Sequence, residues 1–205
     1  MAKLEFTYGS MGSSKTALAL MKRFDLIESG FNVLLLKPST DNRDGVTTIS
    51  SRIGISAEAK TYDYNESIIA KFLDKILECD CIIVDEIQFS SEKQILELKQ
   101  ISEEFDKPVY TYGLRTDFQL NFFEGSEALF KYADVINGVF KTCACGNEAI
   151  VNARYDESGI IYEGNQIELG SNDKYKALCY TCYKKGRLNG KNRNWVRKRV
   201  KWRCS

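Results

Sequence analysis

The sequence of 205 residues contains no histidine. This absence excludes the commonest general base of enzymes, any serine–histidine catalytic pair and every metal site that needs a histidine ligand. Long apolar runs are also missing, since "VLLL" and "CIIV" are far shorter than the roughly 20 residues that cross a bilayer. The start "MAKLEFTYGS" has no apolar core of a secretory signal. We therefore expect a cytoplasmic protein without a membrane partner.

Acidic residues are absent from the C-terminal end. From Lys184 to Ser205 there are ten Lys or Arg and no Asp or Glu, although the whole chain has 29 basic and 28 acidic residues. This composition predicts a basic, flexible tail over residues 186–205. Trp195 and Trp202 leave contact between this tail and nucleic acid as an alternative, which the composition does not favour.

The chain has seven cysteines, an odd number that argues against a disulfide framework. Four of them form two close pairs, Cys143/Cys145 and Cys179/Cys182. Four thiolates from two turns suit tetrahedral Zn²⁺ and leave no open position for water, so the pattern predicts a structural zinc site. A redox Cys-x-x-Cys is the alternative, but no thioredoxin-like pattern surrounds Cys179.

Buried strands alternate with amphipathic helices over the first 140 residues, which predicts a parallel α/β sheet with helices on both faces. The strands are "LEFTY", "NVLLLKP", "CIIVDE", "PVYTYGL" and "DVINGVF". In the first helix, one buried face is expected from Ala17, Leu18, Leu20, Met21, Phe24 and Ile27. A long surface loop is expected over residues 39–60. After residue 141, short β-like pieces between the cysteine pairs predict a small second domain, too small to fold without a staple.

The stretch "YGSMGSSKTAL", residues 8–18, directly follows the first strand. Gly9, Lys15 and Thr16 match the phosphate-loop pattern G-x-x-x-x-G-K-[ST], in which the lysine reaches the terminal phosphates and the hydroxyl ligates Mg²⁺. The fold is therefore predicted to be a P-loop fold of RecA-like type. The predicted ATP-binding residues of the loop are Gly9, Ser10, Met11, Gly12, Ser13, Ser14, Lys15 and Thr16.

Ser14 replaces the second glycine of the pattern. An L-residue in the left-handed conformation costs roughly 1–2 kcal/mol. A catalytically weakened nucleotide binder or sensor on the same fold is therefore an alternative to an active enzyme.

A second motif, "CIIVDEIQF" at residues 81–89, ends a buried strand in two carboxylates. Asp85 is the candidate magnesium carboxylate, together with the Thr16 hydroxyl. Glu86 follows at the carboxyl end of the strand, where open α/β sheets bind their ligands. Because the chain has no histidine, a carboxylate is the natural general base for a hydroxyl acceptor. Asp85, Glu86, Ile87 and Gln88 complete the predicted ATP-binding set.

Several motifs occur in an order and spacing that resemble the cytosolic (type II) thymidine kinases, in particular the bacterial and bacteriophage branch. They are "GSMGSSKT", "DNR", "SSRIG", "VDEIQF", "YGLRTDF", the Cys-x-Cys, "EGNQIELGSNDKY" and the Cys-x-x-Cys. The resemblance covers about residues 3–183. It implies transfer of the γ-phosphate of ATP to the 5′-hydroxyl of thymidine, and of deoxyuridine, with Mg²⁺ and a structural Zn²⁺. It also implies a homotetramer in the cytoplasm, which would be the host's cytoplasm for a bacteriophage protein.

The resemblance also implies roles for single residues. Glu86 is the catalytic base, Arg43 lies near the phosphates, and Phe118 stacks on the thymine ring. A lasso loop whose backbone reads the base edge is formed by Gln166, Ile167, Glu168, Leu169 and Gly170, with Tyr175. The implied organisation is an ATP-binding P-loop domain over 1–140, a zinc-binding domain with the lasso over 141–185, and the tail over 186–205. A P-loop ATPase acting on nucleic acid is a further alternative, disfavoured because helicase-type motifs are missing.

Overall fold

The computed structural model describes residues 1–41, 45–166 and 174–189. The chain folds into two compact units that interleave in sequence. The first, called here the sheet unit, comprises Met1–Gly9, Ser14–Arg115 and Phe122–Val139. The second, called the cysteine unit, comprises Ser10–Ser13, Thr116–Asn121 and the described residues from Phe140 onward.

The sheet unit contains six parallel strands in the order β5-β2-β6-β7-β1-β8. The strands of this unit are β1 (Leu4–Gly9), β2 (Val33–Pro38), β3 (Thr48–Ser50), β4 (Ser56–Glu58), β5 (Lys60–Tyr62), β6 (Cys81–Val84), β7 (Val109–Gly113) and β8 (Val135–Val139). One strand, β7, lies between β1 and β6, as in RecA-like P-loop proteins. The predicted parallel α/β sheet of this type is confirmed.

Four helices accompany the sheet: α1 (Lys15–Glu28), α2 (Ile68–Glu78), α3 (Glu92–Glu104) and α4 (Glu124–Tyr132). A short 3₁₀ turn, Ile87–Phe89, follows β6. Ser91 begins α3 with a capping box, because its side chain accepts from the Gln94 N–H and the Gln94 side chain accepts from the Ser91 N–H. Helix α4 was not expected from the sequence.

The two faces of the sheet bury separate cores, as expected for strands covered on both sides. In β2, Leu34 and Leu36 join the core that contains α2, α3 and α4, whereas Leu35 joins the core that contains α1. The same alternation separates Ile82 from Ile83 in β6. Helices therefore cover both faces of the sheet, as predicted.

The predicted buried face of α1 is wrong in part. Leu18, Met21, Phe24 and Ile27 are exposed by 37%, 55%, 66% and 41%. Ala17 and Leu20 are buried as predicted, together with Ala19, and Ala19 and Leu20 belong to the core on this face of the sheet. Among the helices that the structure describes, none has the length and apolar character required to cross a bilayer.

The expectation of a surface loop over residues 39–60 is also wrong in part. Strands β3 and β4 pair there as an antiparallel hairpin whose Ile49 is buried. The fully buried Lys37 holds the approach to the hairpin, since its Nζ donates to the Gly45 carbonyl at 2.9 Å and to the Thr48 carbonyl at 2.8 Å. A buried lysine at the end of β2 thus gives this polar segment its order.

The cysteine unit is built from short antiparallel strands, which confirms its predicted β-rich character. They are β9 (Lys141–Thr142), β10 (Glu148–Ala149), β11 (Val151–Asp156), β12 (Gly159–Ile161) and β13 (Tyr175–Leu178), followed by helix α5 (Tyr180–Lys184). The order of the three-stranded sheet is β12-β11-β13. Its small core consists of Cys143, Ala149, Val151, Ala153, Leu178, Cys179, Cys182 and Tyr183. Most of the predicted tail, from residue 190, lies outside the described residues.

Candidate active site

The phosphate-loop motif connects β1 to α1. Gly9 ends the strand, and Lys15, which is buried, begins the helix. Two positions of the loop have left-handed backbone, Gly12 with φ of 71° and Ser14 with φ of 67°. A strand, a tight turn and a helix N-terminus in this order form the usual setting for a bound phosphate.

Ser14 therefore adopts the left-handed backbone that glycine tolerates best, although its Cβ makes this conformation costly by roughly 1–2 kcal/mol. The residue is exposed, and its carbonyl accepts the first helical bond from the Leu18 N–H at 2.9 Å. Ser14 thus has the left-handed backbone that the glycine of the phosphate-loop pattern would have, and the rest of the fold offsets the cost of this conformation.

Asp85 follows β6 and is buried, with 3% of its surface exposed. Burial, followed by the charge of Glu86, raises the pKa of Asp85 to about 7, although the Thr16 hydroxyl donates to this carboxylate and Lys15 adds a favourable charge. A hydroxyl bonded to a carboxylate beside a second carboxylate supplies oxygen donors of the kind that Mg²⁺ prefers. The residues present therefore fit a magnesium ion bound with a triphosphate.

Glu86 has left-handed backbone, with φ of 51° and ψ of 35°. Such strain costs about 1–3 kcal/mol and is concentrated at functional sites. Gln88 holds the side chain, because its Nε2 donates to Glu86 Oε2 at 2.5 Å and its Oε1 accepts from the Leu114 N–H at 2.9 Å. Gln88 was predicted as an ATP-binding residue, and the structure places it, 2% exposed, as the neighbour that orients Glu86.

Helix α4, which the sequence reasoning missed, packs against the turn after Glu86. A Cβ at Gly125 would lie 2.6 Å from the carbonyl oxygen of Ile87 and 2.7 Å from that of Ser90. Only glycine permits this approach of the two backbones. The signal in the sequence was the charge pattern of "EGSEALFKY", with two glutamates in the first turn and Lys131 in the last.

Phe118, the predicted thymine-stacking residue, belongs to the cysteine unit and is 1% exposed. The guanidinium carbon of Arg154 lies 4.0 Å from the centroid of its ring, at cation–π distance. The hydroxyl of Tyr183 donates to the Phe118 carbonyl at 2.9 Å. Both the ring and the backbone of Phe118 are therefore held in place.

Arg154 connects this ring to the predicted lasso. Its Nε and Nη2 donate to the Tyr175 hydroxyl at 2.9 and 2.6 Å, and Nη2 also donates to the Asn165 carbonyl at 3.1 Å. The side chain is nearly fully buried in β11. Arg154 is not among the residues predicted from the sequence, where its signal is an arginine inside the strand-like "AIVNARY".

The first lasso residue also contacts the segment around Phe118. Gln166 Nε2 donates to Asp117 Oδ2 at 3.1 Å, while Asp117 Oδ1 accepts from the N–H groups of Gln119 and Asn121 at 2.8 and 2.9 Å. Asp117 thus fixes the turn in which Phe118 lies. The predicted site residues Arg43, Ile167, Glu168, Leu169 and Gly170 lie outside the described residues.

The four paired cysteines come together, with their Sγ atoms all within 4.8 Å of one another. The Sγ atoms of Cys145 and Cys179 are 3.5 Å apart, and the Cys182 N–H points to Cys179 Sγ at 3.4 Å. Burial alone would raise the pKa of Cys179, but the Cys182 N–H and the neighbouring thiols outweigh it and lower the pKa to about 7. Four converging sulfur atoms fit a tetrahedral zinc ion.

The topology of the sheet, the loop carrying Lys15 and Thr16, and the carboxylate pair after β6 define a P-loop protein of the RecA-like class. The sequence profile described as "Thymidine kinase" matches residues 2–183. The chain belongs to the thymidine kinase family, which confirms the resemblance found in the sequence.

Curated relatives agree over nearly their whole length. The chain is 37% identical over 187 residues to a thymidine kinase of Rhodopirellula baltica, covering 90% of this chain and 89% of the relative. It is 39% identical to that of Agrobacterium fabrum, covering 87% and 94%, and 41% identical to that of Jannaschia sp., covering 87% and 93%. Among solved structures, AMPPCP-bound DnaA from Aquifex aeolicus has a TM-score of 0.41 at 16% identity, over 68% of this chain and 41% of that one, which is too distant to bear on function.

Proposed function

We propose that this protein is an active thymidine kinase that transfers the γ-phosphate of ATP to the 5′-hydroxyl of thymidine, and of deoxyuridine, in deoxynucleotide salvage. The observation that carries the proposal is the grouping of Lys15, Thr16 and Asp85, with the Thr16 hydroxyl bonded to the Asp85 carboxylate and Glu86 next in the chain. Membership of the thymidine kinase family supports the choice of acceptor.

On this proposal, Lys15 and the N–H groups of the loop bind the β- and γ-phosphates. Thr16 and Asp85 hold Mg²⁺, which when bound neutralises charge that develops on the transferred phosphate. Arg43, outside the described residues, is proposed to lie near the phosphates on the family resemblance alone.

Glu86 is proposed as the base. Its carboxylate accepts the proton of the 5′-hydroxyl while the bond from O5′ to the γ-phosphorus forms and the bond from that phosphorus to the bridging oxygen of ADP breaks. Positioning matters more than covalent chemistry in such a transfer. The bond from Gln88 and the fixed left-handed backbone restrict Glu86 to a narrow range of positions, which supports this role.

On the family resemblance alone, Phe118 is proposed to stack on the thymine ring. Its ring is 1% exposed and lies against the Arg154 guanidinium, so on this proposal thymine displaces side chains that cover the ring. The lasso backbone from Gln166 to Gly170 is proposed to read the base edge, on the family resemblance. The bond from Gln166 to Asp117, beside Phe118, supports an organised start to this loop.

A structural zinc ion is proposed for Cys143, Cys145, Cys179 and Cys182. Three of these sulfurs lie in the small core of the cysteine unit, so the metal would stabilise a unit that has few other buried side chains. The functional division into an ATP-binding part over 1–140 and a zinc-binding part over 141–185 remains a proposal.

The test is a direct assay of the zinc-loaded protein with Mg-ATP and radiolabelled thymidine, deoxyuridine or deoxycytidine. We expect thymidine and deoxyuridine monophosphates and little deoxycytidine monophosphate. Absence of labelled monophosphate with all three acceptors would contradict the proposed function.

The alternative of a weakened nucleotide sensor depends on Ser14, and Ser14→Gly tests it. Because Ser14 already has the left-handed backbone, we expect kcat and the KM for ATP to stay within about threefold of the wild type. The effect should fall on stability, where relief of strain of roughly 1–2 kcal/mol is offset by about 0.5–1 kcal/mol of glycine entropy. Steady-state kinetics and urea denaturation measure both.

Ser29→Gly is the matched control for Ser14→Gly, since Ser29 ends α1 with an ordinary φ of −83°. It should bring no gain in stability. A more than tenfold increase in kcat for Ser14→Gly would instead favour the sensor.

Arg154→Lys is expected to raise the KM for thymidine by about 10–100-fold with kcat changed by less than about fivefold. Lysine keeps the charge but loses the planar fork that bonds the Tyr175 hydroxyl and Asn165 carbonyl and stacks on Phe118. Steady-state kinetics in both substrates measures the effect, and the KM for ATP should not change.

The matched control for Arg154→Lys is Arg187→Lys, at an exposed position of the same unit. It should leave both KM values at the wild-type level. If Arg154→Lys lowers kcat and leaves the KM for thymidine unchanged, Arg154 does not position the nucleoside.

The homotetramer implied by the resemblance is also a proposal. The exposed apolar side chains of α1, including Met21 and Phe24, support burial of this helix against another copy. Light scattering that gives the mass of a single chain would contradict it. The cytoplasmic location stays a prediction from the sequence.

A further inference from the structure

Asn152 joins two distant segments of the chain inside the cysteine unit. It lies in β11 and is 3% exposed. Its Oδ1 accepts from the Met11 N–H at 2.7 Å, and its Nδ2 donates to the Thr116 carbonyl at 3.0 Å. One amide group therefore uses its acceptor oxygen and its donor nitrogen at the same time.

In the proposed function, one of the two joined segments binds ATP and the other binds thymidine. Met11 belongs to the phosphate loop, and Thr116 lies two residues before Phe118. Removing the Asn152 amide would leave a backbone donor and a buried backbone acceptor without their partners. The bridge therefore ties the backbone position of the phosphate loop to that of the segment carrying Phe118.

Two buried hydroxyl groups lie close in sequence to the two backbone groups that Asn152 joins. Ser13 is two residues after Met11, and Thr116 carries the carbonyl at the other end. Both side chains are at least nine-tenths buried, and their hydroxyl oxygens have no hydrogen-bond partner within the described ranges. Buried polar atoms usually have a hydrogen-bond partner, and a ligand oxygen or nitrogen is one group that can supply it.

We propose that Asn152 is a positioning residue that couples the binding of ATP to the binding of thymidine. The inference rests on the proposed function. If phosphate binding displaces the Met11 backbone, the Asn152 amide keeps both of its bonds only when the Thr116 carbonyl moves with it, two residues before Phe118. Asn152 contacts neither reacting atom and acts only through these two segments.

The experiment measures the Kd of thymidine by calorimetry, with and without a non-hydrolysable ATP analogue and Mg²⁺. The ratio of the two Kd values is the coupling, and no turnover is needed. Couplings between sites are commonly about 5–150-fold, and we expect about tenfold for the wild type. By reciprocity, thymidine must tighten binding of the analogue by the same factor.

Two variants separate the two bonds. Asn152→Leu keeps the shape and removes both bonds, whereas Asn152→Asp, measured at a pH at which its carboxyl is ionised, keeps the acceptor for Met11 and places an oxygen without a proton against the Thr116 carbonyl. We expect the coupling ratio to fall to about one in both variants, while each ligand alone still binds. Asn189→Leu, at an exposed position of the same unit, is the matched control and should keep the wild-type ratio.

Zinc content and circular dichroism establish that each variant is folded, and Asn152→Asp decides the question if Asn152→Leu is misfolded. A folded variant that keeps the wild-type ratio would overturn the inference, and so would a wild-type ratio of one. Failure of the proposed function would be seen separately, as wild-type protein that forms no thymidine monophosphate.

Discussion

Replacing Glu86 by glutamine is expected to lower kcat for thymidine phosphorylation by about 10²–10⁴-fold, the usual contribution of a general base. Glutamine has the same shape, and its side-chain oxygen can still accept from Gln88 Nε2, so the turn after β6 should keep its conformation. What is lost is the ability to accept the proton of the 5′-hydroxyl. The KM values for thymidine and ATP should therefore stay within a few-fold of the wild type.

Glu28→Gln provides the matched control for this prediction, since Glu28 is an exposed residue at the end of α1. It should show wild-type kinetics. A Glu86→Gln enzyme that retains more than a tenth of the wild-type kcat, with a normal unfolding midpoint, would show that another group takes the proton.

Replacing a cysteine of the cluster is expected to reduce thymidine binding by a factor of similar size. The cause here is loss of folded structure and not loss of a catalytic group. Structural zinc contributes apparent free energies of about 10–16 kcal/mol in small zinc modules, as much as the total stability of a typical domain. Three of the four sulfurs are part of the core of the cysteine unit, so Cys179→Ser removes a metal ligand and part of that core together. We expect loss of bound zinc, loss of ordered structure in this unit and at least a hundredfold weaker thymidine binding.

Atomic emission for zinc, circular dichroism and calorimetry with thymidine measure these effects, and treatment of the wild type with a chelator should reproduce them. Cys79→Ala is the matched control, because Cys79 is equally buried but lies in the core of the sheet unit, away from the cluster. It should keep one zinc ion per chain. A Cys179→Ser protein that retains zinc and binds thymidine normally would exclude a structural metal at this position.

The sequence predicted the sheet well because its central strands β2, β6 and β7 are buried. Runs such as "NVLLLKP" and "CIIVDE" have no polar face, and this pattern is typical of parallel strands covered by helices. The phosphate-loop motif and the Asp85–Glu86 pair stand out in the sequence because each directly follows one of the predicted strands, β1 and β6. Motifs tied to a strand end could be assigned without coordinates.

The helices were harder to predict, since helical periodicity does not show which apolar residues are buried. In α1 Ala19 and Leu20 join the core on one face of the sheet, while Met21 and Phe24 are exposed. Helix α4 escaped detection because Gly125 and a short length weaken its helical signal, although that glycine is what allows it to reach the turn after Glu86.

The partners that orient the site could not be predicted from the sequence. Gln88, Asn152 and Arg154 act through hydrogen bonds to residues between 2 and 141 positions away in the chain. No local pattern marks such bonds, because buried polar side chains in a strand look like interruptions until their partners are known. Only the folded arrangement distinguishes a positioning residue from a misplaced polar one.

The interleaving of the two units has a consequence for how this protein could have been assembled or divided. The four residues Ser10–Ser13 lie inside the phosphate-loop motif but belong to the cysteine unit, to which the Met11 N–H is bonded. A fragment ending near residue 140 would contain the whole phosphate-loop motif but lack Asn152, whose side chain accepts from the Met11 N–H. The nucleotide-binding half is thus not a transferable module: recombination that exchanged the C-terminal third of the chain would also replace a structural part of the loop near its beginning.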